Sequence, residues 1–163
     1  MNEIHNKIFV GPEQDYKDLS PNQSGWYVLH ATKEPYHRTA LKYEGTNPSA
    51  NHPEYLVARR GNRMMLNLID SPVEIDIPKE IFDRALDFIS EGVANDHKIL
   101  IHCTEGLSRS ATIGLLYLKK HTTRIKSSNV GDAMREYEEI YPPFNPGKAM
   151  VCFLKKHWEK YFN

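Results

Sequence analysis

This sequence has only two cysteines, Cys103 and Cys152, too few for the disulfide framework of a small secreted domain. No apolar run approaches the roughly 18 residues of a membrane span. Met1-Asn-Glu-Ile-His5 opens without the basic-then-apolar pattern of a signal segment. There is no excess charge either: Lys plus Arg and Asp plus Glu both number 21, so bulk charge does not argue for nucleic acid or a membrane surface as partner. The eight histidines show no His-x3-His spacing and the cysteines no paired pattern, so no zinc site, metal or other cofactor is expected. Internal repeats, low-complexity tracts and linkers are absent as well. A single domain over residues 1–163 is expected, soluble and cytoplasmic; at this length a chain buries roughly 68–70% of its unfolded surface.

What is present is an alternation of short apolar runs and amphipathic segments. Lys7–Gly11 and Gly25–His30 read as strands, as do Tyr55–Ala58 and Met64–Ile69, the last ending at Asp70-Ser-Pro. Ala31 to Pro53 is the least regular stretch, with Pro35, Gly45, Pro48 and Pro53 among polar residues; it suits a surface excursion holding one short helix near Thr39–Tyr43. From Pro78 to Val93, Ile81, Phe82, Ala85, Leu86, Ile89 and Val93 recur at helical spacing, with Asp76 or Ile77 at the cap. Ile99, Leu100 and Ile101 read as a short buried strand, and Ala111, Ile113, Leu115, Tyr117 and Leu118 as the buried side of the helix that follows. A third helix, capped by Ser127 or Ser128, buries Val130, Ala133, Met134, Tyr137 and Ile140 and stops at Pro142-Pro143. The last, Gly147 to Tyr161, buries Met150, Phe153, Leu154, Trp158 and Tyr161; Cys152 among them reads as a small buried hydrophobe. This order predicts an α/β fold: a mainly parallel four- to five-stranded sheet flanked by helices on both faces.

The run Lys98-Ile-Leu-Ile-His-Cys-Thr-Glu-Gly-Leu-Ser-Arg-Ser110 joins the central strand to its helix through a loop that holds Cys103 and Arg109 six positions apart. Gly106 lets the backbone curl, so that successive N–H groups and the helix N-terminus face one spot. Thr104, Glu105, Gly106, Leu107, Ser108 and Arg109 would hold an anion through their amides, and the Arg109 fork would grip two of its oxygens. Cys103 at the base of such an electropositive cup is expected to be an ionised nucleophile. Open α/β sheets bind ligands at the carboxyl ends of their strands, where this loop lies.

His102-Cys103-x5-Arg109-Ser110 resembles the signature of cysteine-dependent protein phosphatases, and Cys-Thr-Glu-Gly-Leu-Ser-Arg-Ser resembles that of the small dual-specificity branch. The resemblance covers Met64 to the C-terminus, with a weaker echo at Lys7–Gly11. It implies the same α/β fold, no metal, and a cycle in which Cys103 attacks phosphorus and water then releases the phosphocysteine. It also implies an acid upstream of the cysteine to protonate the leaving oxygen. Asp70 and Asp76 both qualify. Asp70 follows an apolar strand directly and is preferred, whereas Asp76 precedes Ile-Pro-Lys-Glu and suits a helix cap. Ser110 would donate to the departing thiolate, and His102 would order the loop by hydrogen bonding. Asn145, within Pro142-Pro-Phe-Asn-Pro-Gly147, stands where similar phosphatases carry a Pro-Asn-x-Gly segment that buttresses the loop; Pro146 departs from that pattern.

For substrate, the resemblance implies a shallow cleft accepting phosphotyrosine and phosphoserine or phosphothreonine on proteins. Thr104 to Ser108 include no Lys or Arg, which argues against several clustered phosphates. The segment His30–Arg63 keeps another substrate open. It carries Lys33, Arg38, Lys42, Arg59, Arg60 and Arg63 against three acids, interleaved with His37, Tyr36, Tyr43 and Tyr55. Placed at the cleft, these side chains would suit a nucleotide, an RNA 5′ end or another small phosphorylated metabolite. Alternatively they form a solvated surface balancing the acidic stretch Ser71–Asp96. A non-catalytic phosphate-binding module is a third reading, although binding alone needs Arg109 and the amides but not the thiol.

Overall fold

The computed structural model describes residues 1–20 and 22–162. Among these, six strands form one sheet: β1 (Asn2–His5), β2 (Ile8–Pro12), β3 (Trp26–His30), β4 (Val57–Arg60), β5 (Arg63–Leu66) and β6 (Lys98–Cys103), in the spatial order β1-β2-β6-β3-β5-β4. The four inner strands are parallel, and antiparallel β1 and β4 close the two edges. The sheet is thus mixed and wider than the four to five strands the sequence pattern predicts. Asn2-Glu-Ile-His5 escapes that pattern because it buries only Ile4; pairing with β2, across a turn at Lys7 with φ of +61°, makes it a strand. β4 runs on to Arg60 and β5 begins at Arg63, beyond the apolar runs on either side, because Gly61, at φ of +63°, closes a tight hairpin that pairs Arg60 with Arg63.

Helices cover both faces of the sheet. Side chains alternate along a strand, so Tyr27, Leu29, Ile99 and Ile101 point into the main core, while Val28 and Leu100 point into a smaller cluster on the other face. That second face is covered by α1 (Glu13–Leu19), whose Tyr16 is buried there, and by Tyr36 from a turn at Lys33–His37 that leads into α2 (Arg38–Leu41). Helix α1 has no apolar period to announce it: in Glu-Gln-Asp-Tyr-Lys-Asp-Leu only Tyr16 is buried.

The main core is built by α3 (Lys79–Ala94), α4 (Arg109–His121), α5 (Val130–Ile140) and α6 (Lys148–His157), the last followed by a 3-10 turn at Trp158–Tyr161 rather than by continuous helix. Every residue of α4 from Ser110 to Lys119 is buried. It lies between the sheet, α3, α5 and the C-terminal turn, which is why it is more enclosed than one apolar stripe predicts. Two cap assignments change. Pro78, not Asp76 or Ile77, precedes α3, and Asp76 is exposed, 3.4 Å from Lys156. Asn129, not Ser127 or Ser128, caps α5, its side chain accepting from Asp132 N–H at 3.1 Å. Val93 is exposed at the edge of the α3 stripe, which instead includes Phe88 and Gly92. Cys152 is half-buried rather than buried, beside the Glu74–Ile77 segment.

Gly92 shows how closely α3 approaches the sheet: a Cβ there would fall 2.8 Å from the Tyr27 ring and collide with Ile99. Tyr27 is itself pinned by Asn95, so the ring cannot easily yield. Gly92→Ala is therefore expected to lower stability by about 1–2 kcal/mol despite its better helix propensity, because overpacking outweighs backbone entropy. Urea unfolding of the two proteins checks this.

Candidate active site

Strand β6 must leave the sheet at Cys103, and α4 begins six residues later. The reversal is made at Gly106, at φ of +76°, where a Cβ would sit 2.6 Å from the Gly11 carbonyl carbon and 2.7 Å from Pro12 N. Glycine is required there twice, for its conformation and for the close passage of the β2–α1 backbone.

The loop's carbonyls are held from outside. Glu13 N–H donates to Thr104 O at 3.1 Å, Tyr141 Oη to Gly106 O at 2.7 Å and Asn145 N–H to Leu107 O at 2.8 Å. His102 Nδ1 lies 3.2 Å from Cys103 O. In a trans peptide the carbonyl and the following N–H point in opposite directions. The amides of Thr104, Glu105, Leu107 and Ser108 are thereby turned into the loop, beside the N-terminus of α4. Ser108 Oγ accepts from Gly147 N–H at 2.8 Å, which ties the same loop to α6.

Cys103 is buried at the base, its Sγ 3.2 Å from Ser110 Oγ. Arg109 reaches across the loop: Nη1 donates to Thr32 Oγ1 at 2.9 Å and to Leu68 O at 3.4 Å, and Nη2 to Thr104 Oγ1 at 3.2 Å. Its Nε is buried and has no hydrogen-bond partner among the described residues. A buried cationic donor beside inward-turned amides is a group that an oxyanion can satisfy.

Asp70 joins them. A cavity of about 310 Å³ is lined by Asp70, Cys103, Thr104, Glu105, Leu107, Ser108 and Arg109. Asp70 Oδ1 accepts from Ser71 N–H at 2.9 Å and lies so close to Gly147 that a Cβ there would be 2.7 Å away. Asp76 lies outside this cavity. Asn145 does touch the loop, through its backbone N–H, while the residue itself is exposed. Pro146 costs nothing because the two donors to the loop in this segment are the amides of residues 145 and 147.

Beneath the loop, His102 and His30 are both fully buried, with Nε2 of the first 2.6 Å from Nδ1 of the second. Burial pulls His102 down to about 4, and burial together with the neighbouring His102 and Arg63 pulls His30 further below the usual histidine range.

The basic segment does not border the cavity. Arg63 is level with Val28, and Val28 with Leu100, which leaves it about 10 Å short of Cys103 at roughly 3.3 Å per residue. Arg59 pairs with Glu91 at 2.5 Å, Arg60 with Glu54 at 2.8 Å and Arg38 with Glu34 at 2.7 Å. Lys33 is buried, its ammonium 2.9 Å from Asn47 Oδ1. Three of the six cations are held in local ion pairs and none of the six lines the cavity, so the case for a nucleotide or RNA end loses the feature that motivated it. Conversely, Thr32 and Tyr141, which hold Arg109 and Gly106, carry no local signal: each is a single polar residue beside a turn. Among the described residues no group of three His, Cys, Asp or Glu side chains is placed to hold a metal ion, and no helix is long and apolar enough to cross a membrane.

Residues 46–153 match the family described as dual specificity phosphatase, catalytic domain. The chain is 34% identical over 158 residues, 96% of its length, to human dual specificity protein phosphatase 16, of which it covers 20%. It is 28% identical over 141 residues, 85% of its length, to human dual specificity protein phosphatase 8, of which it covers 19%. It thus spans about a fifth of the length of these relatives. Among solved structures, the human tyrosine phosphatase-like serine/threonine/tyrosine-interacting protein aligns with a TM-score of 0.65 at 20% identity, over 99% of this chain and 97% of that one. Human DUSP28 aligns with a TM-score of 0.61 at 16% identity, over 97% and 92%. These two likenesses establish the fold.

The neutral pair beneath the loop sets a pH dependence. Folded, both imidazoles stay unprotonated; unfolded, they take up protons below about pH 6.5. Their contribution to stability is therefore complete above that value and is lost as pH falls toward 4. Urea unfolding between pH 7.5 and 5 should show stability falling once pH drops below about 6.5, by on the order of 1 kcal/mol per pH unit for the pair.

Proposed function

The chain belongs to the dual specificity phosphatase catalytic-domain family, and on that premise we propose that it is a cysteine-dependent phosphatase hydrolysing phosphate monoesters on proteins. The observation that carries the reading is the shared cavity, in which a buried thiol, a guanidinium with a buried unpartnered N–H and a carboxylate face the same volume. Arg109 and the inward amides bind the phosphoryl oxygens and oppose the charge that builds on them in the transition state. Cys103 Sγ forms the S–P bond while the ester P–O bond breaks, and Asp70 gives its proton to the departing oxygen. Water then attacks phosphorus and gives its proton to Asp70. The S–P bond breaks, Ser110 Oγ donates to the thiolate that is released, and inorganic phosphate leaves. His102 and Asn145 act on the loop's position rather than on the phosphate.

The loop supplies no cation besides Arg109, and Thr104 and Glu105 stand exposed at its rim. This supports a single phosphate in an open, shallow site, compatible with phosphotyrosine and with phosphoserine or phosphothreonine. A thiolate nucleophile requires a reducing compartment, of which the cytoplasm is the natural one.

The test is phosphate release from an aryl phosphate in reductant without added metal. The wild type should turn over, Cys103→Ser should be inactive, and Asp70→Asn should lose about 10²-fold or more in kcat, most for esters with poor leaving groups. Asp76→Asn should leave kcat unchanged. A wild type that binds orthovanadate but releases no phosphate from aryl or phosphopeptide substrates would replace this reading with the binding module.

A further inference from the structure

His30 takes no part in the steps above, yet it is fully buried behind the loop, amid polar and aromatic side chains. On β5, Arg63 Nε donates to His30 Nε2 at 3.0 Å. On β6, His102 Nε2 lies 2.6 Å from His30 Nδ1. The Tyr36 ring stacks on His30 at 4.3 Å between centroids, and Tyr16 from α1 meets it edge-on at 4.5 Å. Tyr16 also stacks on His102 at 5.3 Å and carries the Arg63 guanidinium over its face at 5.5 Å. The Tyr36 hydroxyl is turned away, donating to Glu13 at 2.8 Å. The groups facing the two imidazoles are therefore Arg63, Tyr16 and Tyr36, with the Glu13 carboxylate and Arg109 acting on His102 from farther off.

The direction of every hydrogen bond in this chain follows from its first member. A guanidinium can only donate, so His30 Nε2 must present its lone pair. A neutral imidazole then carries its hydrogen on Nδ1, which donates to His102 Nε2. That leaves the His102 hydrogen on Nδ1, facing the Cys103 carbonyl at 3.2 Å. With the other tautomer of His102, two lone pairs would oppose each other at that carbonyl. The peptide would be pushed to rotate, and the Thr104 amide, now aimed into the loop, would turn out of it.

We propose that Arg63 and His30 are positioning residues that fix the tautomer of His102 and thereby hold the Cys103 carbonyl outward and the Thr104 amide inward, toward the bound anion. The proposal rests on reading the Cys103 loop as the phosphate site. It gives Arg63 a reason to face inward although it lies at the wrong end of the sheet to touch substrate. The relay is neutral throughout its two imidazoles, consistent with the burial that depresses both.

The test compares wild type with His30→Phe, which keeps the ring stack but no nitrogen, Arg63→Met, which keeps the stem but no donor, and Arg63→Lys, which keeps a cationic donor. Side-chain nitrogen NMR at pH 7.5 should find His102 protonated at Nδ1 in the wild type and in Arg63→Lys, and mixed in the other two. The Kd for orthovanadate should rise about three- to tenfold in His30→Phe and Arg63→Met, the scale of one neutral hydrogen bond, and stay near wild type in Arg63→Lys. A wild-type His102 protonated at Nε2 would overturn the proposal, as would an unchanged tautomer or unchanged Kd in folded His30→Phe and Arg63→Met. Equal loss in Arg63→Lys and Arg63→Met would do the same. Both readouts are made without turnover, so an inactive enzyme would count against the proposed activity and not against this relay. Should both apolar variants fail to fold, the wild-type tautomer and Arg63→Lys still decide.

Discussion

The outward anchoring of the loop carbonyls between Cys103 and Leu107 is the constraint on which the rest of this structure depends. A peptide unit has one donor and one acceptor pointing in opposite directions, so a protein that needs N–H groups converging on one point must find acceptor partners on the outside. Here they come from four separate places: the amide opening α1, the imidazole on β6, the hydroxyl of Tyr141 just after α5 and the amide of Asn145 before α6. Glu13 lies about 90 residues before the loop, and Tyr141 and Asn145, in one connection between α5 and α6, lie about 35 after it. The topology exists, in effect, to deliver them to the carboxyl end of one strand.

That delivery explains features which otherwise look arbitrary. α4 is enclosed on all sides, and so its N-terminus cannot drift relative to the loop it continues. Gly106 and Gly147 are both places where a side chain would strike a neighbouring segment, the first against the β2–α1 backbone and the second against Asp70. The close contact at Gly147 also sets the carboxylate on the rim of the cavity, because the Asp70 loop and the start of α6 share the Ala149 N–H to Ser71 O bond at 3.3 Å. Acid, thiol and guanidinium are thus positioned by packing among elements rather than by their own hydrogen bonds to each other.

The smaller face of the sheet has a different character from the main core. Near the carboxyl ends it holds imidazoles and tyrosines, and the ring nitrogens of His30 and His102, the Tyr36 hydroxyl and Arg63 Nε are each directed to a particular partner. Buried polar groups are costly unless satisfied, but when satisfied they fix one geometry where apolar contacts tolerate several. Placing such a layer behind the Cys103 loop gives orientation that a greasy contact could not.

The candidate site was legible in the sequence because Cys103, Gly106, Arg109 and Ser110 fall within eight residues between a buried strand and a helix, so that local backbone geometry suffices to bring their functional atoms together. The sequence also determined the α/β class and the larger helices, since these carry apolar periods of their own. What lacked such a period, namely β1 and α1, was legible only once partners supplied the missing burial. Tertiary structure alone decided that Asp70 and not Asp76 shares the cavity, that Thr32 and Tyr141 hold the loop, and that the arginines of β4 and β5 pair with Glu91 and Glu54 or turn beneath the sheet. The physical reason is the same in each case. A charged or polar side chain is given its role by what stands opposite it, and that neighbour is set by strand order and register, which no local run of residues encodes.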